Sequence, residues 1–203
     1  MKIIVVGCGK VGYTLVEQLT AEGHDLTIID SNEEKILNVT SNLDVMGVCG
    51  NGTSFRIQRE ADVEGADLLI AVTNQDEINL LCCLIAKKAG NCRTVARVRN
   101  PEYYAEIGFI KEELGLSLAI NPELATAADI RHLIQVPSAM EINTFAKGRV
   151  NLVKLVIPED SDWNNKKVIE VNSQCNISLL ICIVERKHEV IIPDGNTVLR
   201  AGV

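Results

Sequence analysis

The sequence has no apolar run long enough to cross a lipid bilayer. Its longest apolar runs, such as Leu80–Ala86, are far shorter than the ~20 residues that a membrane-spanning helix needs. The start of the chain also lacks the pattern of a signal peptide, because Lys2 is followed directly by a strand-like run and then by glycines. We therefore expect a soluble, intracellular protein, and its content of 47% apolar and 23% charged residues is normal for a globular chain.

The usual marks of nucleic-acid binding and of zinc binding are also missing. The formal net charge is −7, and no stripe of basic residues with interleaved aromatic residues is present. The seven cysteines form no CxxC pair and have no zinc-ligand spacing. We predict no nucleic-acid partner and no metal site, and we interpret most cysteines as small buried apolar residues in a reducing compartment.

Strand-like and helix-like segments alternate up to about residue 121. Ser31 and Glu34 have the spacing of a capping box, and Asp76 and Glu77 suit the first turn of a helix. Six strands alternating with helices predict an α/β fold, namely a Rossmann-like, doubly wound parallel sheet with helices on both faces. The six apolar, β-branched runs lie at Ile3–Val6, Leu26–Ile29, Val45–Val48, Leu68–Val72, Thr94–Val98 and Leu116–Ile120.

Three glycines follow the first strand with the spacing Gly7-x-Gly9-x-x-Gly12. In a dinucleotide-binding turn, the first glycine permits the tight turn, the second lets a pyrophosphate approach the backbone, and the third allows close packing of helix on sheet. Asp30 ends the second strand, where a carboxylate accepts hydrogen bonds from the adenosine ribose. This carboxylate would repel a 2′-phosphate, so we predict NAD(H) rather than NADP(H). The alternative is an empty Rossmann-like fold in which Asp30 only caps the following segment.

Other polar residues end strands at the same predicted edge of the sheet. They are Asn51-Gly52 after the third strand, Thr73-Asn74 after the fourth, and Arg97 on the fifth. Ligands of open α/β sheets bind outside the carboxyl ends of the strands, although ordinary turn and cap chemistry would explain Asn51-Gly52 and Thr73-Asn74 equally well. An arginine within an apolar strand requires an anion or a carboxylate beside it.

A second, smaller unit follows a helix predicted at Pro122–Gln135. Pro122 suits the first helical position, and Pro137 stops the helix. Beyond it, the segments read as strands without long helices between them, with Asp194-Gly195 as a turn signal. We predict a nucleotide-binding domain over residues 1–136, including this crossover helix, and a small, incomplete α+β domain over residues 137–203.

No group of residues has the pattern of a catalytic site. His24, His132 and His188 fall in a predicted turn, a late helix and a surface hairpin, away from the expected cofactor edge. No lysine, tyrosine or serine completes an acid–base set. We predict no catalytic residues and no enzyme activity. Two alternatives remain open: a dehydrogenase-like NAD-binding protein without its catalytic domain, and a redox sensor that uses Cys8.

Several longer segments resemble one known family. The third segment below is the most specific, because generic dehydrogenases lack its T-x-x-D-E-x-N pattern, formed by Thr73, Asp76, Glu77 and Asn79. The chain resembles the TrkA family of cytosolic, NAD-binding regulatory subunits of Trk-type potassium uptake systems, also called the RCK or KTN domain family. The segments are MKIIVVGCGKVG, IIDSNEEKI, GNGTSFRIQREADVEGADLLIAVTNQDEINLLCCLIAKK, TVARVRNPEY and VIIPDGNTVLRAG.

The resemblance implies a regulator at the cytoplasmic face of a membrane-embedded potassium transporter subunit. It implies homodimers or ring-like homo-oligomers, binding of NAD(H) and of ATP or ADP, and an RCK C-terminal domain that is cut short here. Asn51 departs from the acid or histidine often found at its position. Because the family commonly carries two tandem copies, a single-copy homologue and an N-terminal half both fit. The implied nucleotide contacts are Gly7, Cys8, Gly9, Lys10, Val11, Gly12, Asp30, Asn51, Gly52, Thr73, Asn74 and Arg97.

The helix at Pro122–Gln135 has apolar residues near helical spacing, including Leu133. It has two interpretations. It packs on its own sheet as a seventh crossover helix, or, as the family resemblance favours, it crosses to a partner subunit and forms a dimer.

Overall fold

The protein is described by a computed structural model that covers residues 1–135, 139–145, 149–174, 179–186 and 189–202. The chain divides into two compact units, Met1–Thr126 and Ala127–Val203. Each unit is described by itself below.

The first unit contains one parallel sheet of six strands in the order β3-β2-β1-β4-β5-β6. β1 is central and pairs with β2 on one side and with β4 on the other. All six predicted strands are present, with ends that differ by one or two residues, so the predicted α/β, Rossmann-like fold is confirmed. The strands are β1 Lys2–Val6, β2 Asp25–Asp30, β3 Met46–Cys49, β4 Leu68–Ala71, β5 Arg93–Arg97 and β6 Leu118–Ile120.

Helices cover both faces of this sheet. The side chains of β1 alternate between the two faces, and those on each face pack into a separate apolar cluster with the helices there. Ile3 and Val5 belong to the cluster that includes residues of α1 and α2. Ile4 and Val6 belong to the cluster that includes residues of α3, α4 and α6. The helices are α1 Lys10–Ala21, α2 Glu33–Asn42, α3 Phe55–Glu60, α4 Asp76–Gly90, α5 Pro101–Ala105, α6 Ile107–Leu114 and α7 Pro122–Gln135.

The start of α2 differs from the predicted capping box. Asn32, rather than Ser31, is the N-cap, and its Oδ1 accepts a hydrogen bond from the Lys35 N–H at 3.1 Å. Serine and asparagine are both good N-caps, so either could begin the helix. The Asn32 N–H donates a hydrogen bond to Asp30 Oδ1 at 2.9 Å, and the helix begins one residue later than predicted.

The predicted crossover helix is present as α7, and it continues across the division between the two units. The side chain of Leu133, on which the dimer interpretation depends, lies outside the described residues. Among the described residues, no helix combines the length and the apolar character needed to span a membrane.

The second unit is built from two antiparallel strand pairs and a short helix, α8 Val168–Gln174. The pairs are β7 Ala139–Phe145 with β8 Val150–Leu155, and β9 Val184–Arg186 with β10 Glu189–Ile191. A small core joins Val168, Val171 and Leu199. The strand predicted after Asp194-Gly195 is reduced to a single bridge between Val198 and Lys167.

Candidate nucleotide-binding site

The candidate site lies where the strand order of the first sheet reverses. β2 and β4 flank β1, and the connections after β1 and after β4 lead away in opposite directions across the sheet. In an open α/β sheet this arrangement leaves a crevice outside the carboxyl ends of the strands. Every residue implied by the resemblance lies at the carboxyl end of β1, β2, β3, β4 or β5, or in the segment that follows it.

Gly7 and Gly12 are required by close packing. Gly7 has φ of +102°, and a Cβ at this residue would lie 2.9 Å from the Thr73 backbone nitrogen. A Cβ at Gly12 would lie 1.8 Å from the Gly7 carbonyl oxygen. The turn after β1 therefore packs directly against the start of α1 and against the loop after β4, as the glycine spacing predicted.

Gly9 is different, because a Cβ at this residue would have no atom within 4 Å. Gly9 is the N-cap of α1, it provides no side-chain cap, and the first turn of α1 has no acidic residue. The first backbone N–H groups of a helix have no intrahelical acceptor, so those of Lys10, Val11 and Gly12 are available to an anion. This open, positively polarised turn fits the phosphates of a dinucleotide.

Asp30 braces the glycine turn. Its Oδ2 accepts a hydrogen bond from the Cys8 N–H at 2.6 Å, and its Oδ1 accepts one from the Asn32 N–H at 2.9 Å. Spacing alone had indicated only a ribose contact or a local cap. Because each carboxylate oxygen can accept more than one hydrogen bond, a ribose hydroxyl still fits beside these two N–H groups.

Cys8 does not have the surroundings of a reactive thiol. Its side chain is buried beside the Lys35 carbonyl oxygen, 3.8 Å from Sγ. Burial, together with the negative charge of Asp30, raises the pKa of the Cys8 thiol above its ordinary value. Redox-sensing cysteines have depressed pKa values, so this geometry weighs against the sensor interpretation.

The T-x-x-D-E-x-N motif forms a brace between β4 and β5, which the sequence reasoning had not predicted. Asn79 is fully buried, and its Oδ1 accepts hydrogen bonds from the N–H and the hydroxyl of Thr73 at 2.8 and 2.7 Å. Its Nδ2 donates to the Arg97 carbonyl oxygen at 2.9 Å. One side chain thus joins the ends of two neighbouring strands.

The acidic residues of the motif extend this brace. Asp76 is buried, and its Oδ2 accepts hydrogen bonds from the N–H groups of Arg99 and Asn100 at 2.8 and 2.7 Å. Glu77 accepts a hydrogen bond from the Tyr103 hydroxyl at 3.0 Å. The Asn74 carbonyl accepts a hydrogen bond from the Arg99 guanidinium. The sequence signal for this brace is the presence of two polar residues, Asp76 and Asn79, three positions apart on a mostly apolar helix.

Asn51 and Gly52 make a tight turn after β3. The Asn51 side-chain oxygen accepts hydrogen bonds from the N–H and the hydroxyl of Thr53 at 3.0 and 2.9 Å. A Cβ at Gly52 would lie 2.3 Å from Val6 Cγ1, so this glycine is needed for packing against β1. These contacts are the turn chemistry that the sequence left open, and they place the turn beside the glycine turn.

Arg97 has an internal partner. Its side chain is 14% exposed and forms an ion pair with Glu123, in the first turn of α7. The requirement for an anion or carboxylate beside this buried arginine is therefore met by the chain itself. Its Nε is buried without a hydrogen-bond acceptor in the described residues. The burial of the Arg97 charge is thus accounted for by Glu123, whereas the unpaired Nε is not.

The remaining candidate chemistry lies elsewhere. His24 follows α1, and its Nε2 is 3.5 Å from a Glu22 carboxylate oxygen, while His188 and the side chain of His132 lie outside the described residues. Four of the six cysteines in the described ranges are buried, and Cys175 lies outside those ranges. The described residues contain no group of three or more His, Cys, Asp or Glu residues arranged to hold a metal ion.

Comparison with known proteins gives the family. The model of the TrkA-N domain matches residues 3–122. The chain belongs to the TrkA-N domain family. It is 39% identical, over all 203 residues, to a Trk system potassium uptake protein TrkA homolog of Archaeoglobus fulgidus, and it spans 45% of that relative's length. It is 31% identical, over 202 residues, to the Trk system potassium uptake protein TrkA homolog of Methanothermobacter thermautotrophicus. It spans 90% of that relative's length.

A solved structure supports the fold of the TrkA-N part. It is the NAD(P)-binding domain of an exopolyphosphatase-related protein from Archaeoglobus fulgidus. It aligns with a TM-score of 0.56 and 26% identity, over 66% of this chain and 96% of the other. The chain spans about half the length of several of the curated relatives that it matches.

Proposed function

We propose that this chain is a regulatory component of a potassium transporter that binds NAD(H) and adenine nucleotides at the carboxyl edge of its six-stranded sheet. The proposal draws on three observations. The turn after β1 is open at Gly9, Asp30 lies beside that turn, and the relatives are named as potassium uptake proteins.

The open turn at Gly9 carries the nucleotide part of the proposal. Gly7 and Gly12 are glycines because neighbouring atoms leave no room for a Cβ, but no atom of the described residues lies within 4 Å of a Cβ built at Gly9. Since α1 begins there without a side-chain cap, a phosphate is the group that this space and these N–H donors suit. The similar solved domain is named as NAD(P)-binding.

The orientation of the nucleotide follows from the strand order. Asp30 ends β2, so the adenosine ribose would lie on the β2 side of the glycine turn, with Asn51 and Gly52 beyond it at the end of β3. The other half of a dinucleotide would extend towards Thr73, Asn74 and Arg97. The full set of proposed contacts is Gly7, Cys8, Gly9, Lys10, Val11, Gly12, Asp30, Asn51, Gly52, Thr73, Asn74 and Arg97.

The regulatory part of the proposal is based on the relatives, which are named as Trk system potassium uptake proteins. We propose that residues 1–136 bind the nucleotide and that residues 137–203 form an RCK C-terminal domain. The partner would be a membrane-embedded potassium transporter subunit, reached from the cytoplasmic face by a homodimer or a ring-like homo-oligomer. In this proposal the nucleotide is bound and not consumed, because its task is to favour one arrangement of the assembly over another.

A calorimetric titration with NAD⁺, NADH, ATP and ADP tests the nucleotide site. Gly9→Ala adds one methyl group into the space that the phosphates would occupy, and we expect it to weaken NADH binding at least ten-fold. The protein should keep its melting temperature, since that Cβ meets no atom within 4 Å.

Gly108→Ala is the matched control for this substitution. Its Cβ also meets no atom within 4 Å, but Gly108 lies in α6, away from the proposed site. This variant should bind NADH like the unmodified protein. If Gly9→Ala binds NADH as tightly as Gly108→Ala does, the glycine turn is not the phosphate site.

A further inference from the structure

The short helix α3 carries a polar side chain that is fully buried. Gln58 has no exposed surface, and its Nε2 donates hydrogen bonds to the carbonyl oxygens of Gly52 at 2.7 Å and of Cys82 at 3.0 Å. Gly52 lies in the turn after β3, and Cys82 lies in α4. The Gln58 amide therefore connects that turn to the helix that follows β4.

The same turn is held from its other side by β1. A Cβ at Gly52 would lie 2.3 Å from Val6 Cγ1 and 3.2 Å from the Cys82 sulfur, so the Gly52 backbone is packed against both residues. Val6 immediately precedes Gly7 of the glycine turn. The Gly52 carbonyl oxygen is in turn held by the Gln58 amide, at 2.7 Å from Nε2.

Packing alone does not account for an amide at this position. The Gln58 Oε1 is buried without a hydrogen-bond donor in the described residues, which is unfavourable for a polar atom. A methionine side chain has nearly the same length and would fill the space without leaving an oxygen unpaired. What the glutamine supplies, and a methionine would not, is the N–H donor to Gly52.

We infer that Gln58 is a positioning residue for the nucleotide site, because its amide ties the Asn51-Gly52 turn to α4 and so keeps the turn packed beside the end of β1. The inference rests on the proposed function. Gln58 is buried and does not itself reach the nucleotide; it acts through the turn that borders the adenosine half of the site. Without this donor, the Gly52 carbonyl would lose a buried hydrogen bond, and the turn would gain freedom to rotate it towards water.

The test compares Gln58→Met with the unmodified protein and with Gln18→Met, which makes the same chemical change on the exposed face of α1. We expect Gln58→Met to bind NADH about three- to ten-fold more weakly, the scale of one hydrogen bond. Amide hydrogen exchange should become faster in residues 50–54 but not in α1 or α2. The melting temperature should fall only slightly, because the lost hydrogen bonds to the Gly52 and Cys82 carbonyls are partly offset by removal of the unpaired Oε1. Gln18→Met should match the unmodified protein in all three measurements.

Several results would overturn the inference. If Gln58→Met changes neither the NADH affinity nor the amide hydrogen exchange of residues 50–54, the Gln58 amide does not position the turn. Faster exchange throughout the sheet, with a greatly lowered melting temperature, would show a general structural role instead. If Gln58→Met does not fold, the unmodified protein decides: the NMR signal of the Gln58 side-chain amide should shift when NADH is added, and an unmoved signal would contradict the inference.

The same titrations separate this inference from the proposed function. If the unmodified protein binds none of the nucleotides, the proposed function fails and the role of Gln58 fails with it. If the unmodified protein binds NADH and Gln58→Met binds it equally well, only the role of Gln58 fails.

Discussion

The two sides of the sheet's carboxyl edge differ in how their backbone groups are paired. At the end of β1, Gly9 faces open space and α1 begins without a side-chain cap. At the ends of β4 and β5, by contrast, the backbone groups are already paired within the chain, by Asn79 and Asp76. One side therefore offers donors to a ligand, and the other side forms a rigid internal brace.

This difference separates two kinds of motif in one sequence. The glycine turn leaves hydrogen-bond donors unpaired, which is costly unless water or a ligand accepts from them. The T-x-x-D-E-x-N motif pairs most of its buried groups with the chain's own backbone, with the exception of Asp76 Oδ1, so its specificity reflects the construction of the site. A family-specific motif can thus be a support for a binding site rather than a set of ligand contacts.

The largest expected effect is on the brace. Asn79→Ala leaves the Thr73 N–H and the Arg97 carbonyl without their buried partner, and each unpaired group costs about 1–3 kcal/mol. We expect the free energy of unfolding to fall by about 3 kcal/mol in a chemical denaturation experiment. Asn38→Ala, an exposed change on α2, serves as the control and should alter stability by less than about 0.5 kcal/mol.

The size of the Asn79 effect decides whether the comparison holds. A loss below about 1 kcal/mol, the net value of one ordinary hydrogen bond, would mean that the loops after β4 and β5 are not held by this side chain. The internal brace would then be no more rigid than the open glycine turn.

A smaller effect is expected at Asp30. This residue lies on the open side of the edge, and its carboxylate accepts a hydrogen bond from Cys8 in the glycine turn. Asp30→Ala removes the acceptor of the Cys8 and Asn32 N–H groups, so stability should fall by about 1–2 kcal/mol. NADH binding should weaken by about 1–3 kcal/mol. The preference for NADH over NADPH should also narrow, because the charge that repels a 2′-phosphate is lost. Asp44→Ala, at an exposed aspartate before β3, is the control for the change in charge.

The two dinucleotides separate the two roles of Asp30. If Asp30→Ala weakens NADH and NADPH binding by the same factor, Asp30 acts only by bracing the glycine turn. A selective loss of NADH affinity is expected only if the carboxylate contacts the ribose.

Much of the fold could be predicted from the sequence, because the six strands are short, apolar and β-branched, and they alternate with helices. The need for glycine at residues 7 and 12 was also predictable, since the spacing implies a tight turn and close helix packing. The strands of the second unit were harder to predict. Its apolar segments around Ile181 and Val198 form only short strands or a single bridge, so apolar character alone did not predict pairing.

The internal partners of the site residues could not be predicted, because they depend on contacts between residues far apart in the sequence. Arg97 was expected to need an anion or a carboxylate, but the sequence did not indicate that its partner is Glu123, 26 residues later. Gln58 is an ordinary polar residue in the sequence, and only the folded chain buries it against Gly52 and Cys82. Pattern and spacing indicate where a site lies, but they do not show how its groups are already satisfied.

The smallest expected effect concerns the thiol inside the open turn. Cys8 is buried, and its pKa is raised first by burial and then by the negative charge of Asp30, so it holds little thiolate at neutral pH. We expect iodoacetamide at pH 7.5 to modify the exposed Cys49 and Cys182 well before Cys8, as followed by peptide mass spectrometry. Cys8 should still react more slowly than Cys49 at pH 9, because burial shields its thiol and a raised pKa keeps much of it protonated. A mild oxidant should then leave NADH affinity unchanged. Rapid modification of Cys8 at pH 7.5 would instead mean that the glycine turn opens readily, and that the open side of the edge is less ordered than its hydrogen bonds to Asp30 imply.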